Sequence, residues 1–138
     1  METQTPSYII YFQENINAVV MEWKGYSTSR EFRSGTELML NLLLKHNTFK
    51  VLANIKEMVL IGLEDQEWLD TEFLPRATEF GFHVLAIVTP DHYFNKVAVE
   101  SISQKADKNK LAIKTFENLT DAAHWLSLID NPDKNTAL

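Results

Sequence analysis

The sequence predicts an α/β fold with a mixed, mostly parallel sheet of about five strands and about four helices. Three observations support this prediction. Two short β-branched and aromatic runs near the N-terminus are typical of an antiparallel hairpin. Strand-like and helix-like segments then alternate along the chain, and His83 to Val88 is the nearly continuous apolar run expected of a strand buried on both faces of a parallel sheet. A chain of 138 residues predicts one domain, residues 1–130, followed by a flexible polar tail, residues 131–138.

The first half of the chain supplies the hairpin and the first helix. The predicted hairpin strands are residues 8–13 and 18–23. Thr28 and Glu31 have the spacing of a capping box, as do Ser34 and Glu37, so the helix is expected to begin at one of these pairs. The last turns of this helix are apolar around most of their circumference, which predicts cover by a neighbouring element or by another subunit.

The second half continues the alternation of strands and helices. Asp65 is the predicted N-cap of a helix that contains Pro75 and ends before Gly81. Because proline lacks the amide hydrogen, a kink is expected at Pro75. The other predicted elements are a third strand at residues 49–53, a fourth at 83–88, a helix at about 93–106, a fifth strand at 111–116 and a last helix capped by Thr120.

Composition excludes several classes of function. The chain has 13 basic and 19 acidic residues, and its lysines and arginines are scattered, which argues against nucleic acid as a partner. It has no cysteine, so thiol chemistry and zinc ribbons are excluded. Its 4 glycines stand alone and its 4 histidines lack ligand spacing, so neither a metal nor another cofactor is expected. No signal peptide or membrane span is expected either, and a cytoplasmic location is predicted.

Candidate functional residues collect where the predicted strands end. In open sheets of this kind, ligands bind at the carboxyl ends of the strands. The residues expected there are Asn54, Lys56, Glu57, Asp91, His92 and Tyr93. A lysine, an acid, an imidazole and a phenol within reach of one another support proton transfer. The alternative is that they are ordinary turn and cap residues, with Asp91 as the N-cap of the next helix.

The stretch Met58 to Leu63, MVLIGL, is unusually apolar for a connection. Its candidate binding residues are Met58, Leu60 and Ile61. Three interpretations stay open: a short strand or helical turn under the sheet edge, an exposed lip for a protein partner, or part of a wall around an apolar ligand. Charged residues flank the stretch on both sides, an arrangement that would also allow it to move as a flap.

A family resemblance covers about residues 8–128. The hairpin ending in Trp23, the segment DQEWLDTEFLPRATEFGFHVLAIVTP and the closing Phe116 with AAHWL resemble the STAS-like proteins, which are related to the sporulation anti-sigma-factor antagonist. The similarity is greatest to small stand-alone bacterial members of mostly unknown function. The resemblance implies a switch serine just beyond the third strand, but no serine or threonine occurs between Phe49 and Thr71. The phosphorylation switch of the family is therefore not expected here.

The resemblance and the residues together predict a non-enzymatic binding or signalling module that contacts a protein partner. Self-association into a homodimer is expected through the first helix or through Met58 to Leu63. The alternative is a carrier or sensor of a small apolar ligand or lipid. A third hypothesis is an enzyme that uses Lys56, Asp91 and His92, and it requires their side chains to converge.

Overall fold

A six-stranded mixed sheet forms the centre of the protein. The computed structural model describes residues 3–130. The strands are β1 Thr3–Gln4, β2 Tyr8–Gln13, β3 Ala18–Gly25, β4 Lys50–Met58, β5 Val84–Val88 and β6 Ala112–Phe116. They lie side by side in chain order; β1, β2 and β3 pair antiparallel, and β3 to β6 pair parallel. The predicted α/β class with a mostly parallel sheet is confirmed, and the two-residue β1 is an addition that no sequence pattern indicated.

Helices cover the two faces of the sheet unequally. They are α1 Ser29–Lys45, α2 Leu63–Trp68, α3 Leu74–Glu79, α4 Tyr93–Lys105 and α5 Leu119–Ser127. Buried side chains of α1 to α4 form the larger core on one face, and α5 packs on the other face together with the short 3-10 turn Glu14–Ile16. None of the helices in the described part of the chain has the length and apolar character needed to cross a membrane. The tail at residues 131–138 lies outside the described residues, so its flexibility stays a prediction.

The start of α1 follows from its local sequence. The Thr28 side chain accepts the N–H of Glu31 at 3.1 Å, and the Glu31 carboxylate accepts the N–H of Thr28 at 2.9 Å. The capping box at Thr28 is thus confirmed, and Ser34 lies inside the helix. Further along, Gly35 lies against Trp23 so closely that a Cβ there would be 2.7 Å from the indole ring. Glycine lets α1 approach β3 at this point.

The predicted helix cap at Asp65 is wrong. The N-cap of α2 is Gly62, which has no side chain to accept a hydrogen bond, and Asp65 lies inside the first turn. A π-helical turn, Leu69–Phe73, then joins α2 to α3. Pro75 falls in the first turn of α3, where a missing amide hydrogen is tolerated. The irregularity expected at the proline is therefore taken up by the turn before it.

The third predicted strand is longer than its apolar run. β4 continues past Ala53 to Met58, and after an irregularity near Trp23 it pairs again with β3, Lys24 beside Glu57 and Gly25 beside Met58. Backbone pairing with a long neighbour therefore extends the strand through a polar stretch. The cap of α5 also differs from the prediction: Asn118, two residues before Thr120, accepts the Asp121 N–H at 2.9 Å.

A buried lysine joins the sheet to α5. Lys50 opens β4, and its Nζ donates to the main-chain oxygens of Leu126 at 2.6 Å and Ile129 at 3.1 Å. These carbonyls lie at and just beyond the C-terminal end of α5, where the helix dipole favours a cation. Burial lowers the pKa of Lys50, and the nearby Asp130 opposes that shift. The contact fixes the end of α5 over the amino end of the sheet.

Candidate binding surface at the carboxyl edge of the sheet

The predicted polar residues do meet at the carboxyl ends of the strands. Asn54 is half-buried in β4 and lies in register with Glu22 of β3 and Val88 of β5. Its side-chain oxygen accepts the N–H of Lys56 at 3.3 Å. Glu57 is exposed and lies beside Lys24 on the neighbouring strand. The Asn54 side chain thus bonds within its own strand, four residues before β4 ends.

Two of the three residues of the proton-transfer hypothesis, Lys56 and Asp91, contact each other through the main chain. The N–H of Asp91 donates to the carbonyl of Lys56 at 3.0 Å, which joins the ends of β4 and β5. The Lys56 Nζ is directed elsewhere, 3.5 Å from the carbonyl of Glu117. His92, not Asp91, is the N-cap residue of α4, and it makes no side-chain cap. The predicted N-cap role of Asp91 is therefore wrong.

The apolar stretch after β4 is divided between core and surface. Met58 and Ile61 are 1% and 6% exposed and belong to the main core. Leu60 is 41% exposed and Leu63 is 82% exposed. The N–H of Val59 donates to the carbonyl of Gly25 at 3.0 Å, so the stretch is also tied to β3. None of the three interpretations therefore describes the whole stretch. Met58 and Ile61 fit an element packed under the sheet edge, whereas Leu60 and Leu63 fit an exposed lip.

One buried side chain holds this stretch in place. Asn95, in the first turn of α4, has no exposed surface. Its Oδ1 accepts the N–H of Ile61 at 3.0 Å, and its Nδ2 donates to the carbonyl of Met58 at 3.2 Å. Both polar groups of the amide are therefore paired with main-chain atoms, one at the last residue of β4 and one in the connection to α2. We call this arrangement the Asn95 clamp.

Sequence reasoning did not identify Asn95. A usable signal exists, because Asn95, Ala98, Val99 and Ile102 have helical spacing i, i+3, i+4 and i+7, and all four are buried. A polar residue on the buried face of a helix requires a hydrogen-bond partner. The pattern thus indicates a polar contact at Asn95 without indicating which segment supplies it.

Exposed apolar side chains lie close in the chain to the segments that the clamp joins. Leu63 projects from the start of α2, and Tyr93 and Phe94 project from the start of α4, with Phe94 74% exposed. The Tyr93 and Phe94 rings contact edge to face, with 5.7 Å between their centroids. Tyr26, beside the Gly25 carbonyl that binds Val59, is also exposed. We define the carboxyl-edge surface as Tyr26, Leu60, Leu63, Tyr93 and Phe94.

A second polar contact fixes α2 against α1. Asp65 is buried, and its Oδ1 accepts the Ser29 hydroxyl at 2.6 Å and the Arg33 Nε at 2.9 Å. The Arg33 guanidinium also lies over the Trp68 ring, 5.2 Å from its centroid. Burial of a carboxylate requires such partners. The position of Leu63, two residues before Asp65, is therefore held by the rest of the fold.

An apolar cavity lies inside the main core. Its volume is about 90 Å³, and it is bounded by the sheet, α1, the π-helical turn and α4. Ile61 of the clamped stretch and both ends of the π-helical turn, Leu69 and Phe73, contribute to its wall. Small-molecule sites are usually about 300–1,000 Å³. This void is therefore much smaller than a ligand-sized pocket.

The described residues contain no group of three or more metal-ligating side chains close enough to hold a metal ion. Comparison of the chain with protein-family models, curated proteins and solved structures gives no match.

Proposed function

We propose that the protein is a non-enzymatic STAS-like binding or regulatory module whose carboxyl-edge surface contacts a protein partner. The observation that supports the proposal is the group of exposed apolar side chains close in the chain to the segments that the Asn95 clamp joins. Exposed apolar patches, especially those rimmed by polar residues, are typical of protein contact sites. Aromatic side chains such as Tyr93 and Phe94 are also enriched in such sites.

The rigidity of the supporting backbone favours this use. Leu60 lies between two residues bound by Asn95, at Met58 and Ile61. Leu63 lies close to Asp65, which is held by Ser29 and Arg33. A preorganised surface loses less conformational entropy on binding than a mobile one. The expected partner is therefore a protein with an apolar face of its own, and regulation does not involve a phosphoserine in the stretch after β4.

The proposal is tested by site-specific photo-crosslinking. A benzoylphenylalanine at Phe94 is compared in cells with the same group at Phe80. Phe80 is 57% exposed and precedes the amino end of β5. We expect a discrete partner that is captured from position 94 and not from position 80. Each candidate partner is then purified, and its affinity is measured for the wild-type chain and for Leu63→Ser.

Affinity and sedimentation measurements distinguish a separate protein partner from a second copy of the chain. A loss of affinity of at least about tenfold in Leu63→Ser supports the proposal, because hot-spot residues have effects of that size. Sedimentation velocity at high concentration tests the predicted homodimer, which Leu63→Ser should also weaken. Equal capture at both positions, or unchanged affinity of Leu63→Ser for the captured protein, rejects the surface.

The cavity favours one alternative function, a carrier or sensor of a small apolar ligand. Its walls are apolar, and dry apolar cavities admit small hydrocarbons. A larger ligand requires the Ile61 stretch and the π-helical turn to move apart. Native mass spectrometry of protein purified from cells tests this alternative, and a mass equal to that of the bare chain counts against it.

A further inference from the structure

The last strand of the sheet has a free edge. Within residues 3–130, β6 pairs with β5 on one side and with no strand on the other. The Ala112 N–H and the Phe116 carbonyl bond toward β5, at 2.9 and 2.8 Å. Because alternate residues of a parallel strand bond to the same neighbour, Ile113 and Thr115 direct their N–H and C=O groups outward. Two residues of β6 thus offer main-chain donors and acceptors to another strand.

A groove accompanies this edge. Depressions of about 420 and 490 Å³ lie at the two ends of β6, and α4 and β6 line both of them. Ile113 and Thr115 lie in register with Leu85 and Ile87, whose side chains are on the face of the sheet that carries α4. The groove therefore has β6 as its floor and α4 as its wall. Side chains at alternate positions of an added strand would enter it.

An unpaired hydroxyl marks the amino end of the groove. Among the described residues, the Ser103 hydroxyl oxygen is shielded from solvent without a hydrogen-bond partner, and Ser103 lines the first depression. Buried polar atoms are rarely left unpaired. Ala112 and Ile113 line the same depression, so a group bound on this part of β6 would lie near the hydroxyl.

The charge of this region differs from that of the whole chain. Residues 105–114 carry four lysines and one aspartate, whereas the chain has a net charge of -6. Lys114 lies on the other face of β6 from the groove, 5.4 and 5.6 Å from the ring centroids of Phe116 and Trp125. A strand with apolar residues toward the groove and acidic residues toward Lys114 matches both faces.

We propose that the β6 edge binds an extended peptide as a seventh strand, with apolar and acidic residues in alternation. Main-chain hydrogen bonds to Ile113 and Thr115 supply affinity, and the groove and Lys114 supply selectivity. A second copy of the chain fits less well. Antiparallel pairing of two β6 strands about their middle residue places Lys114 opposite its own copy, and like charges directly opposite are destabilising.

The test uses the full chain and the peptide Ac-EVEIEVE-NH2, followed by amide chemical shifts and hydrogen exchange. We expect the largest shifts, together with slower exchange, at the outward amides of Ile113 and Thr115. The scrambled peptide Ac-EEVIVEE-NH2 should bind at least about tenfold more weakly, because it lacks the alternation of a strand. Shifts confined to other residues, or equal binding of the scrambled peptide, overturn the proposal.

Variants at Thr115 and Lys114, with two further probes, separate the contributions of main-chain hydrogen bonds and of charge to peptide binding. Thr115→Pro removes an N–H that β5 does not use and should lower affinity at least about tenfold, whereas Thr115→Val keeps the N–H and should bind like the wild type. Lys114→Glu should reverse the preference in favour of Ac-KVKIKVK-NH2. Binding of a short oligothymidylate in place of the peptide, or formation of a dimer that is lost in Thr115→Pro, also overturns it. None of these residues belongs to the carboxyl-edge surface, so the two proposals fail independently.

Discussion

Removal of the Asn95 side chain should destabilise the protein strongly. In Asn95→Ala, the N–H of Ile61 and the carbonyl of Met58 lose the partners that they have at 3.0 and 3.2 Å. A buried main-chain group without a partner costs about 1–3 kcal/mol, and the amide leaves a small void. We therefore expect a loss of about 2–5 kcal/mol in the free energy of unfolding, a large share of the total stability of a small domain.

Urea denaturation followed by circular dichroism measures this loss. Asn41→Ala is the matched control, since Asn41 is exposed in the middle of α1, and it should change the free energy of unfolding by less than about 0.5 kcal/mol. Hydrogen exchange adds a local readout. The Ile61 amide should exchange at least about tenfold faster in Asn95→Ala under conditions where both proteins are folded.

Asn95→Asp distinguishes loss of a hydrogen bond from loss of volume. Aspartate fills nearly the same space and can still accept from Ile61, but it places a carboxylate oxygen against the Met58 carbonyl in a buried site. It should therefore destabilise the protein at least as much as alanine does. The reasoning is refuted if Asn95→Ala loses less than about 1 kcal/mol and Ile61 keeps its protection, because another group must then pair with the released atoms.

Two further substitutions test α1. Gly35→Ala should lower the free energy of unfolding by about 1–3 kcal/mol, because the new Cβ meets Trp23 at 2.7 Å. Ser34→Ala, at the exposed neighbouring position, should change it by less than about 0.5 kcal/mol in the same urea titration. Equal effects of the two substitutions would contradict the close approach of α1 to Trp23. The N–H of Thr28 donates to Glu31 and lowers the pKa of its carboxyl. The extra stability of the wild type over Glu31→Gln should therefore be present above pH 4.5 and should vanish as pH falls through the lowered pKa. A stability difference between the two proteins that grows in acid would contradict this assignment.

Local patterns predicted the fold and some helix ends, but not contacts between distant segments. Thr28 is a recognisable cap because donor and acceptor lie three residues apart. Asp65 is also a residue type that favours the N-cap, yet its carboxylate is engaged by Ser29 and Arg33, which lie 36 and 32 residues away. Capping propensity describes a side chain that is free to bond to its own helix. A tertiary partner removes that freedom, and the sequence does not indicate the partner.

The sequence predicted where the candidate surface lies, but not which side chains of the stretch after Ile55 are buried and which are exposed. Topology alone places the ends of parallel strands at one edge, so the meeting of residues 54–57 with residues 91–93 follows from the order of elements. The sorting of Met58 and Ile61 inward and Leu63 outward depends on where α4 crosses the stretch. That crossing is set by side-chain packing over the sheet, which periodicity does not report.

The Asn95 clamp also bears on regulation. Its hydrogen bonds join a neutral amide to main-chain groups, and an amide side chain has no titratable proton. The stretch between β4 and α2 contains no serine or threonine to phosphorylate. The clamp therefore contains no group of its own that protonation would change, and the stretch offers no hydroxyl to phosphorylate. Release of the clamped stretch is then expected to come from the partner or from a ligand that opens the core beside Ile61.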